Sequence, residues 1–215
     1  MTQKDSIKMT LKDPLITHRP PSGISDYIAY GCVKFLRFFA DIFFAKRYGN
    51  RAVVLETVAG VPGMVGGMLQ HLKSLRSCKE DDGWIKELLA EAENERMHLM
   101  TFIQIAKPNL FERFLIIFVQ VWFFAAYFVL YIVSSRTAHR IVGYLEEEAV
   151  ISYTQYLKEI DDGKIENIPA PDVAINYWGL SIDARLRDVV IAARQDEICH
   201  RDRNHDFANE LLGKR

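Results

Sequence analysis

The sequence predicts an all-α fold, on three observations. Six stretches of helical length carry apolar residues at helical spacing and end at turn signals. No stretch alternates in the manner of a strand, and no internal repeat occurs at solenoid lengths. With 215 residues, 49% of them apolar, the chain can bury a sizeable core. Its 27 basic and 28 acidic residues leave a net charge of −1, so it lacks the basic excess of a nucleic-acid binder, and no nucleic-acid partner is expected. Cys32, Cys78 and Cys199 form no Cys-x-x-Cys pair, which excludes a disulfide scaffold or a cysteine-rich zinc module and suits free thiols.

Residues 1–22 are polar and end in Arg19-Pro20-Pro21-Ser22, as an extended N-terminal arm; residues 23–215 form the helical domain. The arm has neither an apolar leader nor the basic composition of a transit peptide, so the expectation is a chain mature as written, or a bacterial one. A first helix starts near Ser25 or Asp26 and runs to about Arg47. It is rich in Phe, with Lys34, Arg37, Lys46 and Arg47 as basic punctuation and Asp41 the one acid among them. That pattern fits a helix at a membrane interface, with a core helix bearing a solvated stripe as the alternative.

A second helix spans about Arg51 to Ser77 despite Gly60, Pro62, Gly63, Gly66 and Gly67. Each such glycine costs roughly 0.8–1 kcal/mol against Ala, so close packing on neighbouring helices must compensate. A third runs from about Asp82 to Ala106, a fourth from Leu110 to Ser134 and a fifth from Thr137 to Ile160, ahead of the turn Asp161-Asp162-Gly163. Pro169-Ala170-Pro171-Asp172 reads as a linker, and a last helix covers about Ser181 to Leu212. Within the fourth, residues 114–133 carry no charge over 20 positions, long enough to cross a bilayer.

Four helices carry carboxylates in an ordered pattern: Glu56; Glu95 with His98; Glu146; and Glu197 with His200. Two Glu-x-x-His pairs plus two single glutamates are the ligand set of a carboxylate-bridged di-iron or di-manganese centre in a ferritin-like four-helix bundle. The i, i+3 spacing places Glu and His on one helical face. Leu88, Ala92, Glu95, Leu99 and Phe102 share one stripe, as do Leu186, Val190, Ala193, Glu197, His200 and Asn204. On the fifth helix Val142, Glu146, Ala149, Tyr153 and Tyr156 do the same, whereas Glu147 and Glu148 turn about 100° and 200° away, so Glu146 is the ligand of that triplet. Glu56 lies within Val53-Val54-Leu55-Glu56-Thr57-Val58-Ala59, where an unpaired carboxylate costs several kcal/mol unless a cation or a base such as Arg51 meets it.

If the fourth helix spanned a bilayer, Glu146 would lie across the membrane from Glu95 and His98, and one metal site could not use both. The fourth helix is therefore expected to run along the bundle and to lie, with the first, in one leaflet; burial in a dimer interface is the alternative.

The stretches Leu55-Glu56-Thr57-Val58-Ala59, Asn94-Glu95-Arg96-Met97-His98-Leu99, Leu145-Glu146-Glu147-Glu148-Ala149 and Asp196-Glu197 with His200 resemble the alternative oxidase family, cyanide-insensitive quinol oxidases, over about residues 20–212. The resemblance implies a membrane-bound enzyme with two iron ions that oxidises ubiquinol and reduces dioxygen to water without pumping protons, as a homodimer held on one leaflet. It makes Glu56, Glu95, His98, Glu146, Glu197 and His200 the iron ligands and Tyr153 a redox-active tyrosine. Asn94 and Asp196 become polar residues near the metals, and Arg51, Leu55, His139, Glu148, Ala149 and Ser152 the quinol pocket. From the residues alone, Tyr153 also reads as a core tyrosine and Arg51 as a snorkelling surface base. Cys199 and the short Tyr48-Gly49-Asn50 connection depart from the family pattern, and the regulatory N-terminal cysteine of plant members has no counterpart. The expected location is the cytoplasmic side of a bacterial inner membrane, or alternatively the matrix side of the mitochondrial inner membrane. Competing readings are a di-iron hydroxylase of quinone biosynthesis, an iron-storing bundle, and a membrane-surface protein whose Glu-x-x-His pairs are incidental. Thr57, Trp178 and Asp183 carry no separable expectation.

Overall fold

A computed structural model describes residues 18–44 and 47–213, so most of the expected arm lies outside the described residues, as does Lys46. Among the described residues there are seven helices: α1 (Ile24–Phe44), α2 (Tyr48–Ser77), α3 (Trp84–Ala106), α4 (Leu110–Val133), α5 (Ser135–Asp161), α6 (Asp172–Trp178) and α7 (Leu186–Gly213). Side chains fix several of the ends. Asp81 Oδ2 accepts from the Ile85 amide (2.7 Å) where α3 begins. Asn109 and Glu112 cap α4 reciprocally at 3.0 and 2.9 Å, and Ser134 accepts from the Thr137 amide (3.3 Å) at the start of α5.

Two antiparallel pairs make the four-helix bundle. In one, α2 lies along α3 so closely that a Cβ on Gly63 would collide with the Leu88 carbonyl and press on Ala92, which explains why glycine is kept inside this helix at a cost in propensity. In the other, α5 lies along α7, and Gly143 gives way to the His205 ring. Between the pairs the backbones stay apart, and the space is filled by polar side chains from all four helices. α1 packs on α5 through Ala29 and Val33 against Ile141 and Tyr144. α4 covers α2 and the start of α5, with only Tyr127 and Tyr131 buried.

Both outer helices present apolar side chains to the outside: Phe35, Phe38, Phe39 and Ile42 on α1, and Phe114, Phe118, Val121 and Trp122 on α4. Only 11% of the most apolar window of α4 is buried, against 67% for α2, the other helix long and apolar enough to cross a membrane. α4 is thus no core helix, and its exposed face distinguishes it from α2 more clearly than hydropathy does.

Two expectations need correction. The Pro169-Ala170-Pro171-Asp172 linker ends in a helix that the sequence reading lacked, since Asp172–Trp178 forms α6, closed by Gly179 at φ 61°. The last helix begins at Leu186 instead of Ser181, since a turn from Ser181 to Ala184 precedes it (2.9 Å) and Ala170 bonds the Ala184 carbonyl (2.9 Å).

Candidate metal centre and adjoining cavity

The antiparallel register of α3 and α7 builds the centre. His98 Nδ1 lies 3.2 Å from Glu197 Oε1, and one turn away Glu95 Oε1 lies 2.6 Å from His200 Nδ1. α2 adds Glu56, whose Oε2 is 3.4 Å from His98 Nδ1. Ligand atoms of Glu56, Glu95, His98 and Glu197 all lie within 4.8 Å of one another, and all four residues are buried. Glu146 on α5 is also buried and shares a cavity wall with Glu56 and Glu197. All six expected ligand residues therefore gather in one place.

Several of the polar atoms there find no partner among the others. Glu56 Oε2, both oxygens of Glu95, Glu197 Oε2 and His200 Nδ1 are buried without a hydrogen-bond partner. Although His200 Nδ1 and Glu95 Oε1 stand at hydrogen-bond distance, they lack hydrogen-bond geometry, as two lone-pair atoms that would share one cation do. Hard carboxylate oxygens with imidazole nitrogens suit a first-row cation, so the residues fit a metal centre.

Electrostatics agree. Burial pushes the Glu95 carboxyl well up, with the Glu197 charge adding; burial and then the Glu197 and Glu95 charges do the same to Glu146. Burial works against Glu197 too, but the neighbouring His200 and His98 rings outweigh it and hold its carboxyl down. Against burial, Asp196, Glu197 and Glu56 raise His98, and Glu95 and Glu197 raise His200. Without a cation this space depends on protons to offset its carboxylates.

Around the centre, Asp196 Oδ2 accepts from His98 Nε2 (3.1 Å), Asn94 Nδ2 (2.9 Å) and Trp178 Nε1 (2.8 Å), and Asn94 also donates to the Tyr177 hydroxyl (2.8 Å). Trp178 and Tyr177 come from α6, the helix missed in the sequence. Tyr153 on α5 donates its hydroxyl to Glu56 Oε1 on α2 and stacks on Phe102 at 5.6 Å between ring centres. Thr57 only closes its own turn, to Val53 O (2.7 Å), and Asp183 bonds Ser181 in an exposed loop away from the centre.

A cavity of 480 Å³ opens beside the centre between α1, α2, α4 and α5. Glu56, Glu146 and Glu197 line it together with side chains such as Leu36, Phe39, Leu115 and Val119. Arg51, Leu55, Glu148, Ala149 and Ser152 all lie on its wall. His139 does not. It is buried between Tyr131 (3.1 Å) and Asn204 (3.0 Å), against Trp84 and Phe207, because its position on α5 turns it toward α4 and α7. The resemblance puts His139 in the quinol pocket, but it is not among the residues on this cavity's wall. Arg51 bonds Asp41 Oδ1 (2.7 Å) and not Glu56, and at 3% exposure it is no snorkelling surface base.

The triplet Glu146-Glu147-Glu148 divides by helical phase. Glu147 meets His205 Nε2 (2.9 Å) and His18 Nδ1 (2.5 Å), while Glu148 meets Lys34 Nζ (2.5 Å) and Arg37 Nη1 (3.0 Å). Arg37 also reaches Ser152 Oγ (3.0 Å) and Asp41 (2.8 Å). Sequence reasoning missed this role of α1 by reading its bases only as punctuation of an interfacial helix; the Arg37–Asp41 spacing of one turn was the available signal. It also missed Glu91, buried one turn before Glu95.

The family model for alternative oxidase matches residues 7–209. A mitochondrial ubiquinol oxidase of Batrachochytrium dendrobatidis is 61% identical over 195 residues, 91% of this chain and 62% of the relative. Mitochondrial ubiquinol oxidase 1c of Arabidopsis thaliana is 59% identical over 207 residues, 96% of this chain and 63% of the relative. Mitochondrial ubiquinol oxidase 2 of Nicotiana tabacum is 59% identical over 207 residues, 96% and 69% of the two chains. The chain thus spans a little over three fifths of the first two relatives.

Proposed function

Because this chain belongs to the alternative oxidase family, we propose that it is a non-proton-pumping ubiquinol:oxygen oxidoreductase, with Glu56, Glu95, His98, Glu146, Glu197 and His200 holding two iron ions. The observation that carries the reading is the convergence of these residues, with partnerless buried ligand atoms, at the wall of an apolar cavity. Two irons in such a set supply the redox chemistry that joins two-electron quinols to four-electron reduction of dioxygen, two quinols giving two quinones and two waters.

The chain's own residues bind and orient. The cavity accepts an apolar tail along Leu36, Phe39, Leu115 and Val119, while Arg51, Glu148 and Ser152 offer polar partners to a ring bearing two oxygens. Asp41 and Arg37 fix those partners by ion pairs and hydrogen bonds. Tyr153 holds Glu56 and has a hydrogen atom to give at its hydroxyl. Asn94 and Asp196 hold the outer edge of His98.

The exposed aromatic faces of α1 and α4 support monotopic attachment to one leaflet. The relatives' mitochondrial names favour a mitochondrial location over the bacterial one expected first. Met64, Met68, Leu72, Leu75 and Leu89 leave an exposed apolar strip on α2 and α3, which supports a homodimer through that face.

Oxygen uptake by the full chain in detergent or lipid with ubiquinol-1, with and without cyanide and alongside iron per chain, tests the reading. Cyanide-resistant uptake of one dioxygen per two quinols with about two irons per chain is expected. Two metals without quinol-dependent uptake would overturn the oxidase and favour hydroxylase or storage.

A further inference from the structure

Glu147 and Glu148 point about 100° apart around α5, the first toward α7 and the second toward α1, and one imidazole from the chain ahead of α1 reaches both. His18 sets Nδ1 2.5 Å from Glu147 Oε2 and Nε2 2.8 Å from Lys34 Nζ. An ammonium only donates, so His18 accepts at Nε2 and carries its hydrogen on Nδ1, aimed at the Glu147 carboxylate. Lys34 gives a second hydrogen to Glu148 Oε1 at 2.5 Å, an oxygen that also lies 3.3 Å from His18 Nε2. The other Glu148 oxygen accepts from Arg37 Nη1 at 3.0 Å. The backbone beside the imidazole is anchored as well, because the Arg19 amide donates to Glu147 Oε1 (2.9 Å) and its guanidinium to Asn209 Oδ1 on α7 (3.3 Å). Tyr30 meets the imidazole edge-on, with 5.5 Å between ring centres, and lies under the Lys34 ammonium.

Glu148 is on the cavity wall and His18 and Lys34 are not, so they act on its carboxylate without lining the space a ligand would fill. Lys34 alone would hold that carboxylate loosely. Its side chain is 41% exposed, and an exposed lysine gives up much rotamer freedom to keep a single ion pair. With His18 Nε2 as a second acceptor, the ammonium is held at two points. We propose that His18 is a positioning residue for the quinol site: braced on Glu147, it keeps the Lys34 ammonium on Glu148 Oε1 and so fixes the carboxylate that faces the cavity. The chain ahead of α1 would then complete the site that α1 and α5 begin. The proposal rests on reading the cavity as the quinol site, where Glu148 accepts a hydrogen bond from a ring hydroxyl.

Steady-state oxygen uptake by the full chain in lipid, over a range of ubiquinol-1 concentrations and alongside iron per chain, tests it. His18→Phe keeps a ring against Tyr30 but has neither nitrogen, and kcat/KM is expected to fall roughly tenfold through KM, with kcat and iron per chain at the wild-type level. His18→Gln has an amide oxygen for Lys34 and an amide hydrogen for Glu147, and should recover most of that loss, a rescue that a merely packing role would not show. Lys34→Met, at an exposed side chain whose loss threatens the fold least, should raise KM by a similar factor, and the double variant with His18→Phe should be no worse than either alone. Wild-type KM in His18→Phe or in Lys34→Met would overturn the positioning role, and so would a fall confined to kcat or losses that multiply in the double variant. A wild-type chain without quinol-dependent uptake would overturn the quinol reading of the cavity and this proposal with it.

Discussion

The Tyr153 hydroxyl on α5 donates to the Glu56 carboxylate on α2, so this hydrogen bond ties α5 to α2 at the candidate centre. Burial and the Glu56 charge push the phenol well above its ordinary value, which keeps it protonated and able to give a hydrogen atom. Tyr153→Phe is expected to abolish quinol oxidation while iron per chain stays at the wild-type level. It also leaves Glu56 Oε1 without its donor, costing about 1–3 kcal/mol in the metal-free form. An oxygen electrode and an iron assay on one preparation decide the matter, and unchanged turnover would sink the redox role.

Glu95 exemplifies a residue whose stability effect should change sign with metal. It is fully buried, neither oxygen has a hydrogen-bond partner, and Glu197 and Glu56 lie beside it. Glu95→Gln should therefore raise the melting temperature of the metal-free chain at about pH 8, by roughly 2–4 °C for each kcal/mol relieved. The same substitution should lower the melting temperature of the metal-loaded chain. Melting curves with chelator and with added iron(II) give the two signs.

The pH dependence should also invert. Glu95, Glu146, His98 and His200 all have values raised by folding. For each, the folded chain holds its proton more tightly, so the stabilisation is complete below the ordinary value and is lost as pH rises through the folded one. The metal-free chain should thus lose stability from mildly acid to alkaline pH. A cation competes with those same protons, so metal affinity should increase over that range. Asp196 acts at the acid end: against burial, His98, Asn94 and Trp178 hold it low, and its contribution is lost only as pH falls through that lowered value. Unfolding measured at stepped pH with and without metal tests both limbs.

Residue type and period made the gathering of the six candidate residues legible. Glu-x-x-His fixes a face within a helix, and phase selects Glu146 from three adjacent acids. What period could not supply was which helix meets which. His139 is placed in the pocket by the resemblance alone, whereas α5 turns it to α4 and α7, and no single helix encodes that choice. Arg37 had no assigned partner across the fold for the same reason, since the cavity it lines exists only once α1 lies on α5. α6 was hidden by its length, one helical pattern of seven residues among prolines being too short to carry a period.

Glycine positions test the close approach of α2 to α3. Gly63→Ala puts a methyl into the Leu88 carbonyl, backbone that cannot move aside cheaply, and should cost about 1–3 kcal/mol or more. Gly31 on α1 has nothing within 4 Å of a Cβ, and Gly31→Ala should instead gain about 0.5–1 kcal/mol through helix propensity. Denaturant midpoints of the two variants should move in opposite directions.

The last prediction separates lying on a bilayer from crossing it. α4 has 24 residues, about 36 Å at a rise of 1.5 Å per residue, so a spanning helix would put Leu110 and Val133 on opposite sides. Packing on α2 and α5, however, holds both ends of α4 to a bundle whose polar centre cannot enter the hydrocarbon, and leaves the Phe118 and Trp122 face outward. In a background with the exposed Cys32, Cys78 and Cys199 replaced, single cysteines at Leu110 and at Val133 should both react with an impermeant maleimide added to one side of sealed vesicles. Phe118→Lys should weaken vesicle binding, because it removes an apolar contact from the face that meets lipid. Labelling of the two ends from opposite sides would instead require α4 to leave the bundle, which would separate Tyr127 and Tyr131 from the core they fill.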